Sequence, residues 1–196
     1  MEFVSSRPKP EKSGSAAVRR FRDRETIVLN EGITNYTVIS DHIGINQPGR
    51  RFTSGGSSLG WNGGAAIGVK LAHPEKTVVC CTGDGSYMFS QPSTVHWMAR
   101  RYQTPFLQVI YDNGGWKAPK SSTLAIHPEG YASRAEDLGV SFDPAPDYAG
   151  IAAAAGGAFA VTIRRPQDLQ AGLEAAFKAV REDRRCAVVD VLLDPL

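Results

Sequence analysis

Short apolar runs alternate along the chain with longer segments that have the spacing of helices. Strand-length runs fall at 26–30, 50–54, 76–82, 105–113, 158–163 and 186–193. The run at 76–82 has no polar face, which is typical of a strand that is buried on both sides. The intervening segments with helical features are 35–44, 59–72, 90–102, 147–156 and 165–183.

This alternation predicts an α/β fold. We expect a doubly wound, mainly parallel sheet of about six strands with helices on both faces. The stretch 114–146 interrupts the pattern, because it is rich in Gly, Pro, Ser and Asp. We predict a long irregular loop there, and loops of that length in a small domain are usually functional.

Composition and charge divide the chain into two unequal parts. A length of 196 residues suits one α/β domain, here predicted over 25–196. Residues 1–24 hold seven Lys/Arg and three Asp/Glu, a net charge of +4, which leaves about −2 for the rest of a chain whose total is +2. We predict a flexible leader or linker stub over 1–24. The predicted domain has no basic excess, so we expect no nucleic-acid partner.

The same features bear on the compartment. No apolar run reaches the roughly 18 residues of a membrane helix, so we expect no membrane partner. Cys80, Cys81 and Cys186 form no C-x-x-C pair and are interpreted as small buried hydrophobes in a reducing compartment. We therefore predict a cytoplasmic protein, with the mitochondrial matrix as the alternative because the leader contains arginines.

Two polar clusters directly follow predicted strands. Gly83-Asp84-Gly85-Ser86 comes after the strand at 76–82, and Asp112-Asn113-Gly114-Gly115 comes after the next strand along the chain. The carboxyl ends of parallel strands meet at one edge of a sheet, and neighbouring strands lie roughly 5 Å apart. Asp84 and Asn113 would then reach one small cation. A plain surface turn and a nucleotide site built from the same turns remain alternatives.

The chemistry of this pair favours a hard cation. Carboxylate and amide oxygens suit Mg²⁺ or Ca²⁺ better than zinc, and Mg²⁺ sites often complete their coordination with phosphate oxygens. Gly83 and Gly85 would allow close approach of the backbone, and the N–H groups of Gly85, Ser86 and Tyr87 would be available to a phosphate. The sequence therefore predicts a phosphorylated ligand.

The spacing between the clusters resembles a known motif. "GDGS", then 25 residues, then "DN" is similar to the thiamine diphosphate motif, with Asp112 in place of its first Asn. The upstream "GGSSLGWNGGAAIGVKLAHPE" agrees with it. Segment 25–194 resembles the C-terminal, diphosphate-binding domain of the acetolactate synthase-like enzymes, which include benzoylformate decarboxylase.

The resemblance implies thiamine diphosphate and Mg²⁺ as cofactors. Asp84, Asn113 and the carbonyl of Gly115 would be the metal ligands, while Asp112 would be a structural acid. Leu59 would support the folded cofactor. The full set of implied cofactor-binding residues is Thr34, Asn35, Ser57, Ser58, Leu59, Gly83, Asp84, Gly85, Ser86, Tyr87, Asn113, Gly115, Trp116, Lys117 and Ala118.

The resemblance also implies a partner. Members of the family carry a pyrimidine-binding domain whose glutamate activates the cofactor, and Glu31 belongs to the wrong domain for that role. We therefore expect a thiamine diphosphate-dependent lyase or transferase that cleaves or forms C–C bonds in small 2-keto acids. It would be oligomeric and would need a pyrimidine-binding domain from another chain or segment. The alternative is a non-catalytic regulatory or binding subunit that keeps the fold.

Overall fold

Six strands form one fully parallel sheet in the part of the chain that the structure describes. This computed structural model describes residues 10–54, 56, 58–136 and 138–193. The strand order is β2-β1-β3-β4-β6-β5, and each neighbouring pair is parallel. The strands are β1 (Ile27–Glu31), β2 (Arg51–Thr53), β3 (Val78–Gly83), β4 (Leu107–Asp112), β5 (Phe159–Ile163) and β6 (Ala187–Leu192).

Helices cover both faces of this sheet, which confirms the predicted doubly wound α/β fold. One face packs against α1, α2 and α8, and the other packs against α3, α5 and α7. The helices of the described residues are α1 (Pro10–Phe21), α2 (Tyr36–Ile43), α3 (Trp61–Ala72), α4 (Asp84–Phe89), α5 (Pro92–Arg101), α6 (Lys117–Ile126), α7 (Tyr148–Gly156) and α8 (Leu169–Arg181). None of them has both the length and the apolar character that crossing a bilayer requires.

The cysteines lie inside these two cores. Cys80 and Cys81 point to opposite faces of β3 and are fully buried. Cys186, just before β6, is also buried, and all three are free thiols. Burial raises the pKa of Cys81 to about 12, so the thiol stays protonated and behaves as a small apolar side chain.

The described part of the predicted leader 1–24 is more ordered than expected, while its residues 1–9 lie outside the described residues. Residues 10–21 form α1, which packs on the sheet where flexibility was expected. Val18 is fully buried, and the hydroxyl of Ser15 lies 3.0 Å from that of Tyr111 in β4. The small residues at 14–17 allow this close packing, a signal that the Pro, Ser and Lys content of the leader obscured.

The stretch 114–146 is also more regular than predicted. It contains α6 and a 3₁₀ turn at Tyr131–Arg134. None of the residues of α6 is buried, so the helix needs no apolar stripe that would mark it in the sequence. Pro119 lies in its first turn, where a missing backbone N–H does not break a helix.

Candidate functional site

Asp84 and Asn113 lie at the carboxyl ends of two neighbouring strands, as their spacing predicts. β3 ends at Gly83, α4 begins at Asp84 without a loop, and β3 pairs directly with β4. Asp84 is almost fully buried. Its Oδ1 accepts a hydrogen bond from the N–H of Gly85 (2.9 Å), and its Oδ2 accepts one from the N–H of Gly115 (2.6 Å). Asp84 thus joins the "GDGS" turn to the loop after β4.

A second carboxylate lies beside Asp84. Burial raises the pKa of Asp84 to about 7, the N–H of Gly85 opposes that rise, and the nearby Asp112 adds to it. Asp112 is buried, and its Oδ1 accepts a hydrogen bond from the N–H of Gly114 (3.0 Å). A cation placed here would stabilise both ionised carboxylates at once.

Asn113 presents an unused acceptor to this position. Its Nδ2 donates to the hydroxyl of Thr34 (3.2 Å), which fixes the orientation of the amide. Its Oδ1 is buried and has no hydrogen-bond partner among the described residues. An unpaired buried amide oxygen is destabilising unless something binds it, and Mg²⁺ favours such an oxygen beside a carboxylate.

Gly115 adopts a backbone conformation that favours glycine. Its φ is +144°, and a Cβ at this position would lie 2.0 Å from the carbonyl oxygen of Val140. The segment after α6 thus supports the loop from behind, with a bridge between Gly115 and Ser141. The Gly115 carbonyl accepts from the N–H of Lys117 (3.1 Å), which leaves a second lone pair for a ligand.

Trp116 explains why residue 85 is glycine. A Cβ on Gly85 would lie 2.0 Å from Cδ1 of the Trp116 indole. The indole packs edge-on against Phe142, with ring centroids 5.0 Å apart. Gly85 therefore accommodates a side chain from the neighbouring loop, whereas a Cβ on Gly83 would meet nothing within 4 Å.

Glu31 fixes the turn that carries Leu59. Its buried carboxylate at the end of β1 accepts hydrogen bonds from the N–H groups of Gly60 and Asn62, at the start of α3. Burial raises the pKa of Glu31, and these N–H groups lower it. Sequence reasoning missed this role, although an acid that ends an apolar strand was a visible signal.

A single cleft, here called the strand-end cleft, collects most of the predicted residues. It encloses about 330 Å³ of space open to solvent. Eleven of the fifteen predicted cofactor-binding residues line it, together with Ile33 and Pro119: Thr34, Leu59, Gly83, Asp84, Gly85, Ser86, Asn113, Gly115, Trp116, Lys117 and Ala118. The predicted binding roles of these residues remain predictions.

Three other predicted residues, all within the described part of the chain, do not line this cleft. Asn35 is buried at the end of the 3₁₀ turn that follows β1, and Ser58 is exposed. Tyr87 is buried in the core, where its hydroxyl donates to the carbonyl of Tyr148 (3.0 Å). Ser57 lies outside the described residues.

Lys117 brings a positive charge to the strand-end cleft. Burial lowers the pKa of its ammonium group, and the carboxylates of Asp84 and Asp112 raise it. Within the described residues, no group of three or more His, Cys, Asp or Glu side chains is placed to hold a metal ion. A cation here would therefore need amide or backbone oxygens in addition to Asp84.

Asp190 and Tyr148 lie behind the acids of the cleft and were not predicted. Burial raises the pKa of Asp190 in β6 to about 7, and Asp112 adds to the rise. Oδ1 of Asp190 and the hydroxyl of Tyr148 are both buried without a hydrogen-bond partner among the described residues. No motif in the sequence singles out either residue.

Known proteins resemble this chain in sequence and in fold. The family model for the C-terminal TPP-binding domain of thiamine pyrophosphate enzymes matches residues 32–191. The chain is 31% identical over 188 residues to the acetolactate synthase large subunit of Haemophilus influenzae, covering 91% of this chain and 29% of that protein. It is 34% identical over 153 residues to the acetolactate synthase isozyme 3 large subunit of Escherichia coli, covering 76% of this chain and 24% of that one.

Solved structures share the fold. Benzoylformate decarboxylase from Polynucleobacter necessarius superposes with a TM-score of 0.76 at 20% identity, over 100% of this chain and 36% of that one. The thiamine diphosphate-dependent 4-hydroxybenzoylformate decarboxylase of Rhodococcus jostii superposes with a TM-score of 0.79 at 22% identity, over 100% of this chain and 35% of that one. The chain thus spans about a quarter to a third of the length of the acetolactate synthases that it matches.

Proposed function

Because the chain belongs to the thiamine pyrophosphate enzymes, as their C-terminal TPP-binding domain, we propose that the strand-end cleft binds the diphosphate of thiamine diphosphate through Mg²⁺. The observation that carries the proposal is the unpaired, buried Oδ1 of Asn113 at the strand end next to the buried Asp84. These are hard oxygen donors, which Mg²⁺ prefers together with phosphate oxygens.

The residues would divide the work between metal and phosphate. Asp84, Asn113 and the carbonyl of Gly115 would bind the metal. Ser86 and the first turn of α4 would face the diphosphate. The N–H of Gly85 already donates to Asp84, so it would act by fixing that carboxylate.

Other residues would shape the remainder of the cleft. Leu59 would support the cofactor rings, and the indole of Trp116 would exclude water from the metal. Lys117 would add a positive charge near the diphosphate or an anionic substrate. Thr34 would act through Asn113, whose amide it orients.

The chemistry would be that of the family. Thiamine diphosphate supplies an electron sink for cleaving or forming a C–C bond beside a keto group. We propose a small 2-keto acid substrate, in line with the acetolactate synthases and benzoylformate decarboxylases that the chain resembles. This chain would contribute orientation, charge neutralisation and water exclusion, and we assign no catalytic residue to it.

A pyrimidine-binding domain from another chain or segment would complete the site. Glu31 does not replace its glutamate, because the Glu31 carboxylate is buried against Gly60 and Asn62. We propose that the enzyme is oligomeric and cytoplasmic. The three free cysteines fit a reducing compartment such as the cytoplasm. The presence of both proposed metal ligands, Asp84 and Asn113, at neighbouring strand ends favours an enzyme over a non-catalytic subunit.

Titration calorimetry tests the proposal. We expect thiamine diphosphate to bind the chain with Mg²⁺ and not with EDTA. Asp84→Asn and Asn113→Ala should each weaken binding about tenfold or more, since each removes a metal ligand. Asp41→Ala, which changes an exposed acid on α2, is the matched control. Metal-independent binding, or full affinity in both site variants, would contradict the proposal.

A further inference from the structure

A second cleft lies at the amino-terminal ends of the strands, opposite the strand-end cleft, where β4, β5 and β6 begin. It encloses about 610 Å³ of space, including open solvent, and is larger than the strand-end cleft. Ala99, Pro105 and Cys186 are buried and form its floor, while Arg100, Arg184 and Arg185 are exposed and form its rim. We call it the arginine cleft after these three rim residues.

The three arginines come from different parts of the fold. Arg100 lies in the last turn of α5, and its guanidinium is 3.6 Å from the position of a Cβ at Gly157, in the turn between α7 and β5. Arg184 and Arg185 lie in the turn between α8 and β6, beyond the last residue of α8. A helix C-terminus favours nearby cations at both places, since Arg100 lies in the last turn of α5 and the N–H of Arg185 donates to the carbonyl of Ala179 in the last turn of α8 (3.1 Å).

The turn that carries Arg184 and Arg185 has an unusual conformation. Arg184 has a φ of +56°, which few residues other than glycine adopt. Arg185 is held over the ring of Phe159, 5.9 Å from its centroid. Two consecutive arginines are therefore held at the same rim by a defined backbone.

The charge of the arginine cleft is only partly balanced by side chains of the described residues, because Arg185 alone of the three rim arginines forms an ion pair. Asp183 lies 3.9 Å from Arg185. Among the described residues, no side chain forms an ion pair or hydrogen bond with the guanidinium group of Arg100 or Arg184. Lys70 lies close enough to Arg184 for the two charges to repel. An anion would relieve this repulsion.

We propose that the arginine cleft binds a small phosphate-bearing molecule. Guanidinium groups bind phosphate oxygens in a bidentate manner, and three of them can share the charge of one phosphate or diphosphate. The apolar floor and the size of the cleft leave space for an organic group as well. β4 has six residues, so the two edges lie roughly 17–20 Å apart and a ligand here is separate from the proposed cofactor.

Residue-resolved NMR of the full chain tests the proposal, with pyrophosphate and ADP as separate probes in EDTA. We expect saturable shifts of the amide signals of Gly157 and Cys186. The double variant Arg100→Gln/Arg184→Gln should weaken binding about tenfold or more, since it removes two charged donors. Arg24→Gln, an exposed arginine before β1, is the matched control and should not change the affinity.

Three results would overturn the proposal: shifts that never saturate, shifts confined to Gly85 and Gly115 of the strand-end cleft, or equal affinity in the double variant. If the double variant does not fold, Arg184→Lys keeps the charge and removes the bidentate geometry. It should then weaken binding several-fold, and unchanged binding in that variant would also overturn the proposal.

Discussion

His96 should make the stability of this protein depend on pH in a way that one substitution removes. The side chain lies on α5, is 1% exposed, and stacks on Phe106 with ring centroids 5.5 Å apart. Neither ring nitrogen has a hydrogen-bond partner among the described residues. Burial lowers the pKa of His96 to about 4, from 6.5. The folded state therefore holds a neutral imidazole that the unfolded chain would protonate below about pH 6.5.

The size and sign of the effect follow from these two pKa values. Between pH 6.5 and 4 the unfolded state binds more protons, so the folded state loses stability as pH falls. The loss is about 2 kcal/mol at pH 5 and about 3 kcal/mol below pH 4. Asp84 and Asp190 act in the opposite direction, because their pKa values are raised to about 7. The wild-type profile alone would therefore hide the contribution of His96.

Urea unfolding of wild type and His96→Leu at pH 7.5 and 5.0 isolates the contribution of His96. The carboxylates are common to both proteins, so their effects cancel in the difference between the two unfolding free energies. We expect the unfolding free energy of His96→Leu, relative to that of wild type, to be about 2 kcal/mol higher at pH 5.0 than at pH 7.5. His127→Leu replaces an exposed histidine and serves as the control. A relative stability that is the same at both pH values would refute the reasoning.

Three further substitutions test the framework around the site by urea unfolding. Gly115→Ala should lose about 2 kcal/mol or more, because its Cβ would collide with the Val140 carbonyl, and unchanged stability would show that the loop can rearrange. Ser15→Ala should lose about 1 kcal/mol, since the buried Tyr111 hydroxyl loses one of its two side-chain hydrogen-bond partners and keeps Cys81; no loss would argue against the packing of α1. Glu31→Ala should lose about 1–3 kcal/mol by leaving buried N–H groups unpaired, and should also weaken cofactor binding in the calorimetry above.

Sequence patterns predict the sheet and the central pair of the site well, because both depend on local periodicity and strand adjacency. The run at 76–82 has no polar face, and a strand buried on both sides has few alternatives. Once β3 and β4 are neighbours, the spacing of Asp84 and Asn113 brings them to the same edge.

Contacts between distant segments are harder to predict. Gly85 makes room for Trp116, and Gly115 is supported by Val140, but both contacts depend on how the loop after β4 folds back. Glu31 is a comparable case: its position at the end of an apolar strand is visible in the sequence, but its partners are backbone N–H groups, which have no sequence signature. The apolar periodicity of a strand or helix indicates which of its residues are buried, but it carries little information about which distant segments contact them.

Mn²⁺-induced broadening of amide NMR signals tests the central claim most directly, since Mn²⁺ replaces Mg²⁺ and marks its own position. With thiamine diphosphate present, we expect low Mn²⁺ to broaden the signals of Gly85 and Gly115 first, and Asn113→Ala to abolish this. Thiamine without its diphosphate should not support the effect. Broadening centred away from the ends of β3 and β4, or broadening that persists in Asn113→Ala, would contradict a diphosphate-binding metal site in this cleft.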